Sequence, residues 1–213
     1  MMVAAKIPEF PYEQGPYDFP GDALKKAWER LHRGDREAYP ANAKLQAAWR
    51  AFHRGDFADA IAQGAKLKSA GATVANKAAA VAATYLVDDD KAAIRLLLEA
   101  AARADAATRE SPGDANAWYM QAFVLGRYAQ SVSVVKALAE GIGSTVRKAL
   151  DRAIQLEPGH ADAHIALGLY HAEIIDKVGA LAGRLTYGAD AAESVRHFEQ
   201  ALKLNPGSAI AHM

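Results

Sequence analysis

The sequence predicts an all-α fold of stacked helical hairpins, and three observations carry that prediction. A heptapeptide recurs first: Pro112-Gly-Asp-Ala-Asn-Ala-Trp118, Pro158-Gly-His-Ala-Asp-Ala-His164 and Pro206-Gly-Ser-Ala-Ile-Ala-His212 share P-G-x-A-x-A-[W/H], with steps of 46 residues (Pro112 to Pro158) and 48 (Pro158 to Pro206). The residues ahead of the later copies repeat as well. Ala149-Leu150-x-x-Ala153-Ile154-x-Leu156-x-Pro158 matches Phe198-x-x-Ala201-Leu202-x-Leu204-x-Pro206, with apolar side chains at helical spacing up to the proline. Composition is the third: 51% apolar, 8% aromatic and 23% charged residues describe a chain with a packed core.

Each proline disfavours the α conformation in the residue before it and stops a helix, and the glycine after it eases the turn. The small residues of A-x-A then open another helix that can sit close to its neighbour. One unit is therefore helix, turn, helix and a Pro-Gly turn. Along the chain this gives a Pro- and Tyr-rich arm over residues 1–20, expected to be extended and to pack along the helices or onto a second copy. Next comes a single repeat domain over 21–213, with hairpins at about 41–70, 72–110, 112–157 and 159–205. Residues 207–213 begin a further unit, which suggests a truncated chain or more native sequence beyond it. Near the N-terminus a second echo sets Ala27-Trp28-x-x-Leu31-His32-Arg33-Gly34-Asp35 against Ala48-Trp49-x-x-Phe52-His53-Arg54-Gly55-Asp56, and Asp22–Arg33 reads as a degenerate or capping helix.

The pattern resembles the tetratricopeptide repeat. Phe198, Ala201 and Pro206, then Leu150, Ala153 and Pro158, match the end of that repeat's second helix; Leu167-Gly168 matches the leucine-glycine step of its first, and Gly55-Asp56-Phe57-x-x-Ala60-Ile61 its inner turn. The resemblance covers roughly residues 41 to 213 and implies a right-handed α-α superhelix. The family period is about 34 residues, so these units carry some 12 to 14 extra. Both insertions contain V-x-A-L-A, Val135 to Ala139 and Val178 to Ala182, and suggest longer helices or an added turn stacked side by side. Enlarged units are similar to those of the TPR subunit of tripartite ATP-independent periplasmic transporters and of regulators of microtubule dynamics, relatives that imply binding roles.

Lys plus Arg equals Asp plus Glu at 25 each, so no overall field draws the chain to nucleic acid, and no nucleic-acid partner is expected. With no cysteine there is no disulfide, thiolate metal site or cysteine nucleophile. No run approaches the roughly 18 apolar residues of a membrane span, and no signal-peptide layout opens the chain, which favours the cytoplasm, or the periplasm if a leader has been removed.

Several motifs invite chemistry. His160, His164 and His171 would lie within about 40° of one another on one continuous helix, a conceivable metal site. His164 nevertheless takes the place of Trp118 one unit earlier, so helix packing is the reading adopted. The two Arg-Gly-Asp tripeptides, at 33–35 and 54–56, spell an adhesion motif but read as a glycine closing one helix and an aspartate opening the next. Asp88-Asp89-Asp90 reads as a solvated N-cap, and Gly141-x-Gly143-Ser144-Thr145 as a turn capped by Ser144; Gly179-x-x-x-Gly183 permits close helix contact. There is no nucleophile elbow and no His-Glu-x-x-His. No enzyme activity, metal or cofactor is expected.

The expected working part is a surface. Carrying the family's groove positions onto the two clearest units implies partner-binding roles for Asn116, Tyr119, Phe123 and Arg127, then Asp162, Ile165, Leu169 and Glu173, with Tyr119 and Arg127 foremost because aromatic and Arg side chains dominate interface energetics. The expected function is a scaffold that grips a protein or peptide on the concave face, with a homo-oligomer possible. The alternative is a carrier of a small or lipid-like molecule, or a transporter accessory, with an apolar pocket between the inserted segments.

Overall fold

The computed structural model describes residues 7–212. Within them the chain is helical with no strand: α1 (Ala23–Leu31), α2 (Ala43–Arg54), α3 (Phe57–Lys66), α4 (Ala72–Tyr85), α5 (Asp90–Glu110), α6 (Ala115–Gln130), α7 (Val134–Ala139), α8 (Ile142–Leu156), α9 (Ala161–Val178), α10 (Ala180–Tyr187), α11 (Ala191–Leu204) and α12 (Ala209–His212). From α2 to α6 each helix packs on the next, and α4 also packs on α6; then α6 packs on α8, α8 on α9 and α9 on α11.

The recurrent heptapeptide has a specific physical basis. Trp118 Nε1 donates to the Pro112 carbonyl at 3.0 Å, His164 Nε2 meets the Pro158 carbonyl at 3.3 Å, and His212 Nε2 meets the Pro206 carbonyl at 2.9 Å. Where a helix has just ended, at Glu110, Leu156 or Leu204, the ring nitrogen six residues after the proline takes up a turn carbonyl. Trp and His share that position because both offer a ring N–H on a flat side chain, which Phe or Leu cannot. The same turns cap the next helix, Asp114 accepting from Asn116 N and His160 Nδ1 from Ala163 N. Asp89 likewise caps α5, accepting from Ala92 N at 2.6 Å.

The N-terminal echo becomes a contact. Trp28 of α1 and Trp49 of α2 meet edge to face at 5.6 Å, and His32 and His53 sit 5.2 Å apart, their Nε2 atoms 3.2 Å from each other. Trp49 is fully buried. The described part of the arm, residues 7–20, lies along α2 and α3. It is not wholly extended, since Gly15–Tyr17 form a 3-10 turn. Arg50 donates to the carbonyls of Phe19 and Gly21, Gln14 donates to Asp56, and Phe10 packs edge-on against Phe57. Residues 1–6 of the arm lie outside the described residues.

Between α3 and α4 the backbones touch through two glycines: a Cβ at Gly71 would fall on the main chain of Gly64. Gly71→Ala is expected to cost about 1–3 kcal/mol in urea unfolding, since main chain cannot yield as a flexible side chain would. A loss below about 0.5 kcal/mol would mean the two segments separate easily.

Four local expectations are corrected. Gly55 does close α2 in the left-handed region, at φ 90°, but Arg33-Gly34-Asp35 opens no helix: α1 ends at Leu31, Gly34 is not left-handed, and Asp35 is buried. Ser144 does not cap α8; it lies in the first turn and its Oγ donates back to the Gly141 carbonyl, while Gly141, at φ 67°, holds the cap position. The shared V-x-A-L-A does different work in its two copies. Val135 to Ala139 lies within α7, which packs on α8, whereas the second copy breaks at Gly179, at φ 84°, so that Val178 ends α9 and Ala180 starts α10, which packs on α9. Only Gly183 of the Gly179/Gly183 pair makes a close approach, to Ile174.

Candidate functional site

Helices α4, α6, α7, α8, α9 and α12 surround a cavity of about 350 Å3. Its walls are apolar: Phe123 of α6, Leu138 of α7, Ile142 and Val146 of α8, and Ile165 and Leu169 of α9. Its volume lies at the small end of the roughly 300–1,000 Å3 usual for ligand pockets. The first insertion supplies one wall through Val134, Ala137 and Leu138. The second contributes only Val178 at its start, and Leu181 and Leu185 of α10 point to solvent, 74% and 79% exposed. An apolar pocket lying between two equivalent insertions is therefore not what forms; the pocket lies beside one of them.

Charged groups reach the cavity at two depths. At the mouth, Arg127 lies over the Phe123 ring at 5.4 Å and donates to Gln130 Oε1, and Gln130 Nε2 donates to Glu173 Oε1 at 2.7 Å, bridging α6 to α9. Such exposed links contribute little stability. At the floor sit Lys77, Tyr119 and Asp162. Among the described residues the Asp162 carboxylate and Tyr119 Oη make no side-chain hydrogen bond or ion pair, and neither is among the fully buried atoms left without a partner, so both oxygens open onto the cavity. Burial pushes the Asp162 carboxyl up, against the pull of Lys77. Burial, with the nearby Asp162 and Asp35 charges, holds the Tyr119 phenol well above its ordinary value. For Lys77, burial is outweighed by Asp35 and Asp162, so the ammonium is held above its ordinary value and stays charged.

Beneath the floor runs a buried polar network. Asp35, 1% exposed, accepts from Lys77 Nζ at 2.6 Å, from His32 Nδ1 at 3.0 Å and from Glu37 N at 3.2 Å. Burial alone would raise the Asp35 carboxyl, but Lys77 and His32 outweigh it and hold it far below the usual carboxylate range. Arg36, left-handed at φ 55°, turns the chain between Asp35 and Glu37. Glu37 then accepts from Asn116 Nδ2 at 2.7 Å, and Asn116 Oδ1 meets His160 Nε2 at 3.0 Å. Because His160 Nδ1 is the acceptor of the α9 cap, its Nε2 carries the proton and donates to Asn116. Burial first, then the charges of Asp35 and Asp114, push Glu37 up to about 8.

Seven of the eight expected groove residues line the one cavity: Tyr119, Phe123 and Arg127 from α6, and Asp162, Ile165, Leu169 and Glu173 from α9. The eighth, Asn116, stands outside it, spent on Glu37 and His160. The histidines part company. His160 is a helix cap, whereas His164 and His171 face α11, with His164 Nδ1 2.9 Å from His197 Nδ1 and the His171 ring stacked on His197 at 6.1 Å. His171 Nδ1 accepts from Asp190 N, so it offers that nitrogen to nothing else. Among the described residues no three His, Cys, Asp or Glu side chains are placed to hold a metal ion. Sequence reasoning missed Lys77 and Asp35. The signal for Lys77 was there: it is the only charged residue of α4, in a run of alanines.

These features define an all-α protein with a part-open apolar pocket floored by charge. No family model matches the sequence, and no curated protein matches it. None of the helices described is long and apolar enough to cross a membrane.

Proposed function

We propose that this chain is a non-catalytic binding protein that takes a small apolar ligand in the cavity between α6, α8 and α9. The observation that carries the reading is the convergence of Tyr119, Phe123, Ile165 and Leu169 on one 350 Å3 space with apolar walls. At the floor Lys77 stays protonated and Tyr119 resists ionisation, so neither supplies a base near neutral pH. The sequential helix pairing and the Pro-Gly turns support a right-handed superhelix of the tetratricopeptide kind, with α7 partly filling its concave side. A cytoplasmic site of action belongs to the same proposal.

Gly126 offers the test. It lines the cavity from within α6, and a Cβ built there meets nothing within 4 Å. Gly126→Trp fills the space at a helical position where glycine is itself unfavourable by about 1 kcal/mol. The wild-type protein is expected to bind the neutral apolar dye N-phenyl-1-naphthylamine at one site, with fluorescence enhancement. Gly126→Trp is expected to weaken that binding at least tenfold while keeping the wild-type melting temperature or exceeding it. Equal dye binding by both proteins would remove the pocket from the reading. Capture of a peptide by wild type and not by Gly126→Trp would turn it toward the scaffold alternative.

A further inference from the structure

We propose that the cavity selects a ligand bearing a protonated amine, whose N–H groups donate to the Asp162 carboxylate while its hydrocarbon body lies along α6, α8 and α9. This rests on the pocket reading above and adds the chemistry of the head group. Two charges reach the floor, Lys77 and Asp162, and Asp35 lies beneath it. Lys77 donates to Asp35 at 2.6 Å and acts on Asp162 only through its charge, with no hydrogen bond to it. Asp162 is left over, a part-buried carboxylate facing the cavity without a protein donor among the described residues. Its position is fixed from behind: Asp162 N donates to the Gly34 carbonyl at 3.0 Å, and a side chain at Gly34 would overlap the carboxylate.

Charge and hydrogen-bond capacity select the head group. An ammonium supplies three donors and no acceptor, neutralises the floor, and leaves Lys77 on Asp35. A carboxylate ligand would bring a like charge against Asp162 while its natural partner, Lys77, is already occupied. A neutral alcohol could donate once but would leave a charge uncompensated in an apolar surround. Tyr119 Oη, free beside Asp162, can accept from one of the remaining ammonium N–H groups.

The experiment displaces N-phenyl-1-naphthylamine from the wild-type protein with three probes of one chain length: octylamine, octanol and octanoate, each below its micelle concentration at pH 7. Octylamine is expected to displace the dye at a concentration at least tenfold below octanol, with octanoate the weakest. In Asp162→Asn, an isosteric change, octylamine should fall to the level of octanol, the ratio between the two probes being read within that one variant. Equal displacement by the three probes, or octanoate strongest, overturns the proposal and leaves the apolar pocket standing. Failure of the dye to bind wild type at all overturns both. Because the ranking is read on the wild-type protein, a misfolded variant cannot decide the outcome.

Discussion

Asp35→Ala is expected to lower stability by about 3–5 kcal/mol, the range found when one partner of a buried ion pair is removed. The cost is not mainly the lost attraction. Lys77 Nζ would stay among α4, α6 and α9 with its nearest carboxylate gone, and the Glu37 amide would lose its acceptor. Asp35 also joins parts of the chain far apart in sequence: it lies after α1, Lys77 is 42 residues on in α4, and through Glu37 the same loop reaches Asn116 of α6 and His160, the cap of α9. Urea unfolding monitored by circular dichroism reads the loss directly. The companion variant Asp35→Leu/Lys77→Met, with neither charge, is expected to recover most of it, because two apolar groups of similar size avoid both desolvation costs. If Asp35→Ala unfolds within about 1 kcal/mol of wild type, water reaches Lys77 and the network is not what holds these elements together.

The helices were legible in the sequence because their ends are chemical. Pro112, Pro158 and Pro206 forbid continuation, Asp89 caps α5 and Asp114 caps α6, and the periodic spacing of residues 119, 123 and 127, and of 162, 165, 169 and 173, places each set on one helix face. What local pattern cannot show is which distant charge answers which. The two Arg-Gly-Asp segments are the clearest case. Identical tripeptides take different backbones, Gly55 at φ 90° and Gly34 outside the left-handed region, and only the first-copy Asp35 is held by a distant Lys77, with Asp162 filling the space a side chain at Gly34 would need. Asn116 was placed on the groove by its helical register. Its amide is instead taken by Glu37, 79 residues earlier, a partner that periodicity does not reveal. The two V-x-A-L-A copies diverge for a local reason that could be read: glycine at 179 where the first copy has Lys136 permits a break that lysine resists.

The same network sets the expected response to pH. Burial lowers His53 to about 3, His160 to about 4 and His197 to about 4, from an ordinary value of 6.5; neighbouring positive charge adds to it at His53 and His197, whereas at His160 Asp35 opposes it. A histidine with a lowered value takes up its proton more readily when unfolded, so each weakens the fold as pH falls from 6.5 toward 4. Glu37 acts the other way. Raised from 4.5 to about 8, it keeps a proton in the folded chain that the unfolded chain has released, so its contribution is present below pH 4.5 and is lost as pH rises toward 8. Each group changes stability by at most about 1.4 kcal/mol per pH unit within its window. Below pH 6.5 these histidines, joined by His164 and His171, which burial also lowers, outweigh Glu37 and the raised Asp162 carboxyl; above it Glu37 acts without them. The melting temperature should therefore pass through a maximum at about pH 6.5 and fall on both sides, more steeply on the acid side. Glu37→Gln, which keeps an oxygen to accept from Asn116 Nδ2, is expected to flatten the alkaline limb between pH 6.5 and 8.5 and leave the acid limb intact. A wild-type melting temperature constant across that alkaline range would mean that Glu37 is already ionised in the folded protein, with water or a cation beside it.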